Sequence, residues 1–223
     1  QRTTPLPWRD MVLEPGDMDN DGDLDVVQAG HSRFNMSALA ADVTLVSRNT
    51  GVNGGDIGFV TAATLPRLLY GAMQWGDADG DGDLDLAMSG LSDDRAITRI
   101  YRNTGGGTFS LWQDLDGVQH SALTWADHDN DGDLDLLVSG YDGPRPKLRL
   151  YENKDGAFTS QQLWEAFRTS LQKIGDTGRG AMAWTDFDGD GDLDLFITGD
   201  TQDYNALPVS SSSPGPPPSG AVM

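Results

Sequence analysis

Short apolar runs recur along the chain in a fixed order. One set reads Val26-Val27-Gln28-Ala29-Gly30, Leu86-Ala87-Met88-Ser89-Gly90, Leu136-Leu137-Val138-Ser139-Gly140 and Leu195-Phe196-Ile197-Thr198-Gly199. Ahead of three of these stand an apolar residue, a spacer and a tryptophan: Met73-Gln74-Trp75, Leu123-Thr124-Trp125 and Met182-Ala183-Trp184. The first copy has Glu14-Pro15-Gly16 there instead. Further on come Leu45-Val46-Ser47-Arg48-Asn49, Ile100-Tyr101-Arg102-Asn103 and Leu150-Tyr151-Glu152-Asn153. A glycine-bearing turn follows each, and then Phe59, Phe109 or Phe158 opens a fourth segment. Runs this short, bounded by Gly, Asn and Asp, predict strands rather than helices. Four strands in a unit of about 50 residues is the size of a propeller blade. The expected fold is therefore all-β, with β-propeller-type blades of four antiparallel strands in about four repeats. No third or fourth strand is recognisable after Gly199, so the last blade is expected to be incomplete. Leu163, Phe167, Leu171 and Ile174 have helical spacing and predict one helix in an insertion after the third repeat.

Between the first two segments of every unit lies the same acidic nonapeptide. Its first copy carries Asp17, Asp19, Asp21, Gly22, Asp23, Leu24 and Asp25; its second, Asp77, Asp79, Asp81, Gly82, Asp83, Leu84 and Asp85. The third carries Asp127, Asp129, Asp131, Gly132, Asp133, Leu134 and Asp135, and the fourth Asp186, Asp188, Asp190, Gly191, Asp192, Leu193 and Asp194. The copies start 60, 50 and 59 residues apart, and together they hold twenty of the 35 acidic residues. Five carboxylates in nine residues repel one another unless a cation sits among them. Ca²⁺ takes about six to eight oxygen ligands. Positions 1, 3 and 5 offer carboxylates, position 7 a backbone carbonyl and position 9 a last carboxylate, while Gly at position 6 permits the sharp turn. Leu at position 8 is expected to anchor the loop to the core. Mg²⁺ fits less well because it prefers fewer protein ligands in strict octahedral geometry. A helix-flanked EF-hand needs Glu at position 12, where this chain has Gln28, Met88, Val138 and Ile197. Four Ca²⁺ sites are expected.

The net charge of −20 excludes nucleic acid and anionic membrane surfaces as natural partners. Four bound Ca²⁺ ions would bring it to −12. The chain has no cysteine, so neither a disulfide scaffold nor a thiolate zinc site is available. No stretch is apolar for long enough to span a membrane as a helix. Gln1 fits a processed mature N-terminus and a fragment boundary equally.

The loop Asp-x-Asp-x-Asp-Gly-x-x-Asp between two strands resembles the FG-GAP and VCBS repeat family, whose repeats build the β-propeller of integrin α-chains. Tyr101-Arg102-Asn103-Thr104-Gly105-Gly106-Gly107-Thr108-Phe109 is similar to that family's second signature. The resemblance covers roughly residues 8–200 and leaves 201–223 as a Ser/Pro-rich tail. It implies a calcium loop between the first two strands of each blade, a secreted setting, and adhesion, ligand binding or scaffolding rather than catalysis. Such propellers usually close with about seven blades. A chain with four loops is a fragment of a longer ring, closes in cis through Thr3–Val12, or borrows a strand from a neighbouring molecule.

The tail 208–223, Pro-Val-Ser-Ser-Ser-Ser-Pro-Gly-Pro-Pro-Pro-Ser-Gly-Ala-Val-Met, has polyproline II or disordered composition. It resembles hydroxyproline-rich, O-glycosylated wall-protein segments. Asn35-Met36-Ser37 is a candidate N-glycosylation sequon. His31, His120 and His128 lie beside no nucleophile constellation, and His128 is expected to point into solvent. The closely spaced carboxylate pairs all belong to metal loops, so no enzyme is expected. Trp75, Trp125 and Trp184 are expected to pack between blades, and Trp8, Trp112 and Trp164 to make surface contacts. Two roles follow. One is an extracellular structural or adhesive module, a subunit of a cell-surface fibre or matrix assembled with copies of itself or other surface proteins. The other is a lectin-like module that binds glycan or protein.

Overall fold

A computed structural model describes residues 8–32, 43–53, 56–143, 145–161, 181–191 and 193–198. Asn35, Asp192, Trp164, the predicted helix and the tail lie outside them. Every regular element among the described residues is a β-strand, and every pairing is antiparallel. The first sheet runs β1 (Trp8–Gly16), β2 (Asp25–Ser32), β3 (Val43–Asn53) and β4 (Asp56–Pro66) in sequence order. The second has seven strands in order: β5 (Leu69–Gly76), β6 (Asp85–Ser92), β7 (Arg95–Asn103), β8 (Phe109–Ala126), β9 (Asp135–Asp142), β10 (Arg145–Lys154) and β11 (Ala157–Gln161). β12 (Met182–Thr185) and β13 (Asp194–Ile197) form a two-stranded sheet. Residues 8–12, half of the segment considered for ring closure, pair with β2 of their own sheet.

The sequence pattern separates the fourth strand of repeat two from the first strand of repeat three, but the structure joins them. β8 is one strand of 18 residues. Its Phe109–Val118 half pairs with β7 and its Gln119–Ala126 half with β9. At the corresponding junction of repeats one and two, Pro66 ends β4, and Arg67 and Leu68 separate it from β5. Proline lacks the N–H a ladder needs.

The apolar runs after the loops are continuous rather than alternating because both faces of these strands are covered. Leu86 and Met88 join a core cluster with Met18, Val27, Val46 and Tyr101, facing repeat one. Ala87, between them, faces repeat three in a cluster with Ile100, Leu136, Val138, Tyr151 and Phe158. Leu137 in turn faces β13 with Leu148, Leu150 and Leu195. The period-2 geometry of a strand thus sends alternate residues into successive interfaces.

The tryptophans lock these interfaces. Trp75 rests on Gly16 of the preceding repeat, where an added Cβ would stand 2.6 Å from its Cδ1, and its Nε1 donates to Glu14 O at 3.1 Å. Trp125 repeats the arrangement on Gly76, with a clash distance of 2.7 Å and a bond to Gln74 O at 3.3 Å. Trp184 departs from it. Ala126 replaces the glycine, and the buried Trp184 Nε1 has no hydrogen-bond partner among the described residues. Trp112, expected at the surface, is half-buried. It packs edge-on against Phe158 at 5.3 Å and lies under the Arg102 guanidinium at 3.9 Å. Gly76→Ala should therefore destabilise the fold by about 1–3 kcal/mol through overpacking. An unchanged thermal midpoint would contradict this seating of Trp125.

Candidate metal centres

Each acidic loop joins the end of one strand to the start of the next, and its own carboxylates fold it. The position-1 aspartate accepts from the position-6 glycine amide in all four copies: Gly22 to Asp17 at 3.0 Å, Gly82 to Asp77 at 3.1 Å, Gly132 to Asp127 at 3.0 Å and Gly191 to Asp186 at 3.2 Å. The position-5 carboxylate accepts from the position-7 amide in the first three, at 2.9, 2.9 and 3.0 Å. The position-6 glycines have φ of 90°, 95°, 99° and 93°, a left-handed conformation that suits a residue without Cβ. Position 4 is left-handed too, at Asn20, Gly80, Asn130 and Gly189. That explains why only Asn and Gly occur there, a signal the sequence reading left unused.

The position-9 aspartates are the buried ones. Asp25, Asp85, Asp135 and Asp194 are 0%, 0%, 1% and 9% exposed. One oxygen of each accepts from the position-2 amide: Met18, Ala78, His128 and Phe187, at 2.9, 3.1, 3.1 and 2.9 Å. In the first three repeats the other oxygen accepts from the amide of Asn49, Asn103 or Asn153 at 2.7–2.8 Å. These carboxylates clamp the loop to the third strand of its own repeat.

The asparagine side chains extend the clamp to the repeat before. Asn103 Nδ2 donates to Met18 O at 2.7 Å and to Leu84 O at 3.3 Å. Asn153 Nδ2 donates to Ala78 O at 2.8 Å and to Leu134 O at 3.2 Å. The first three loops are thus tied one to the next. The recurrence of Asn before the glycine turn was the available signal for this role.

The remaining carboxylates converge. Ligand oxygens of Asp17, Asp19 and Asp25 lie within 4.8 Å of one another, as do those of Asp77, Asp79 and Asp81, of Asp127, Asp129 and Asp131, and of Asp186, Asp188 and Asp194. Among the described residues, the position-7 side chains Asp23, Asp83 and Asp133 do not join these groups. Asp23 Oδ2 faces the turn at Gly51, and Asp133 Oδ2 accepts from Asp155 N at 3.4 Å. Arg48 stands 3.6 Å from Asp19, and Arg102 stands 3.0 Å from Asp79. Repeat three has Glu152 at that place, paired with Lys154. Among the described residues, two buried carboxylate oxygens, Asp19 Oδ1 and Asp77 Oδ1, have no hydrogen-bond donor. A buried unpartnered carboxylate oxygen is costly, and a cation among the converging oxygens would satisfy both. The residues fit a hard, oxygen-seeking ion.

Electrostatics point the same way. Burial pushes Asp85 up to about 6, against the pull of the Asn103 and Ala78 amides. Burial also raises Asp25, Asp79 and Asp129, helped in each case by neighbouring aspartates. His128, expected to point outward, turns inward instead. Its Nδ1 lies 2.5 Å from Asp135 Oδ2, a contact that raises the imidazole. Burial acts to raise Asp135, but this ring and the Asn153 and His128 amides outweigh it and hold it low. Leu24 is a second correction. Leu84 packs on the first core cluster, but Leu24 is 60% exposed, because no described segment packs ahead of the first sheet.

A family model described as FG-GAP-like repeat matches residues 77–138 and 127–197. The first match opens at Asp77 and the second at Asp127, each at the first position of a loop. The comparison with curated proteins found no match.

Proposed function

Because the chain belongs to the FG-GAP-like repeat family, we propose that it is an extracellular calcium-binding structural or adhesion protein whose repeats are propeller-type blades. The observation that carries this reading is the fourfold recurrence of one loop whose carboxylates converge, with Asp19 Oδ1 and Asp77 Oδ1 buried and unpartnered. Positions 1, 3 and 5 supply carboxylates, position 7 its carbonyl, and position 9 both shapes the loop and closes the ligand set. Four Ca²⁺ ions offset part of the loops' negative charge and hold each loop folded. The carboxylates act as ligands rather than as acid and base, and the partners are copies of the chain or other surface proteins.

Asp81→Asn tests the assignment. Asparagine keeps an acceptor for the Asp83 amide, so the loop still folds, but one ligand charge is lost. Calorimetric titration should show four sites in the wild type and a weakened one in the variant. The variant's thermal midpoint should drop in millimolar calcium and stay level in chelator. Equal shifts in both media would refute ligation by Asp81.

A second reading, a glycan- or protein-binding module, is favoured by one cluster. Tyr70 stacks on His120 at 4.9 Å, and His120 meets Tyr141 at 6.3 Å. Tyr70 and His120 sit in β-bulges at equivalent places, with φ of 50° and 51°. They occupy the strand ends away from the acidic loops, where a ligand can reach aromatic rings.

A further inference from the structure

The interface between successive repeats is built from recurring halves. The later repeat contributes the residue four before its loop, Leu at loop position 8, and the phenylalanine paired with the clamp asparagine. In repeat two these are Met73, Leu84 and Phe109, all packed against the first core cluster. The earlier repeat contributes loop position 2 and the second residue after its loop, which in repeat one are the fully buried Met18 and Val27.

Both halves of one more such interface are exposed. On repeat one, the residues matching Met73, Leu84 and Phe109 are Leu13, Leu24 and Phe59, which are 47%, 60% and 50% exposed. On repeat four, the residue matching Met18 is Phe187, 71% exposed, in contact with a half-buried Phe196 at the place of Val27. Their rings lie 5.4 Å apart. The half on repeat one does not repeat the internal joint in full. Pro15 stands where Trp75 and Trp125 stand, so the indole bond to the neighbour's carbonyl cannot form. Gln28 replaces the buried Met88.

We propose that the Phe187–Phe196 face of one molecule docks on the Leu13–Leu24–Phe59 face of a second copy of this chain, head to tail. The occupant is a second copy because the internal joints show which surface each half accepts. Without the tryptophan lock the joint is reversible, as a contact between separate molecules requires. Such a contact is heterologous and extends into a ring or an open filament. The inference rests on the structural-module reading above and names the surfaces through which that module assembles.

The test uses the full chain in millimolar calcium. Sedimentation velocity of the wild type should give masses above the 23.9-kDa chain that rise with concentration. Phe59→Asp blocks one face and Phe187→Gln the other. Each variant alone should be monomeric and melt where dilute wild type melts, because both side chains are exposed and neither is a calcium ligand. Mixed, they should form a pair of twice the chain mass and grow no further, since each keeps the face the other lost. A wild-type monomer at every concentration overturns the docking, and its higher melting in calcium would leave the calcium reading intact. Variants that associate like the wild type, or a mixture that stays monomeric, overturn it equally.

Discussion

Asn103→Ala should cost roughly 3–4 kcal/mol, far more than its size suggests. The side chain is fully buried and makes three bonds at once. Its Nδ2 serves Met18 O and Leu84 O, and its Oδ1 accepts from Gly105 N at 3.1 Å. Alanine leaves two carbonyls and an amide without their partner, at about 1–3 kcal/mol for each group left buried and unsatisfied. Asn49 is the internal control. Its Nδ2 reaches Leu24 O at 3.2 Å, and its Oδ1 takes the Gly51 amide, both within its own repeat and near the surface. Asn49→Ala should therefore cost about 1 kcal/mol. Urea midpoints in calcium, with an unchanged m-value, measure both. Equal losses would mean that the bond across repeats contributes nothing.

Stripping calcium should produce the larger change and invert the pH dependence of stability. With dissociation constants of about 10⁻⁴–10⁻³ M, usual for extracellular modules, 10 mM calcium would stabilise each site by about 1.4–2.7 kcal/mol. Four sites make removal enough to unfold a domain of ordinary stability. In metal-free protein, Asp85 titrates near 6 when folded and near the usual carboxylate value when unfolded. A raised folded value means that its contribution is fully present below the unfolded value and is lost as pH rises through about 6. Protein passed over a chelating resin should thus melt lower at pH 7 than at pH 5. In calcium the trend reverses, because the ion needs deprotonated ligands. Parallel pH profiles with and without calcium would sink the claim.

Much of this was legible in the sequence because the strongest signals repeat. Acidic residues at loop positions 1, 3, 5, 7 and 9 marked the four loops, and the flanking runs announced the strands and their order. What stayed hidden depends on what covers a residue. The pattern marks Leu24 and Leu84 alike as apolar, yet only Leu84 finds a sheet in front of it. Trp112 looked unplaced because its partners, Phe158 and Arg102, are distant in sequence. The continuity of β8 turns on the absence of a proline between Phe109 and Ala126, a silence that is hard to read without its counterpart at Pro66. His128 turned inward because Asp135 offers it an acceptor that no spacing rule encodes.

Several bonds between repeats reach backward along the chain. Trp75 and Trp125 donate to carbonyls of the repeat before, and Asn103 and Asn153 cap the previous loop. During synthesis, then, the first two loops are completed only by later repeats. The Met18 carbonyl waits for an asparagine 85 residues further on, which at about 5–20 residues per second is a delay of roughly 4–17 s. The first loop is made long before it is sealed, so its folding and its final closure are separate events, and repeats two and three each complete the loop made before them.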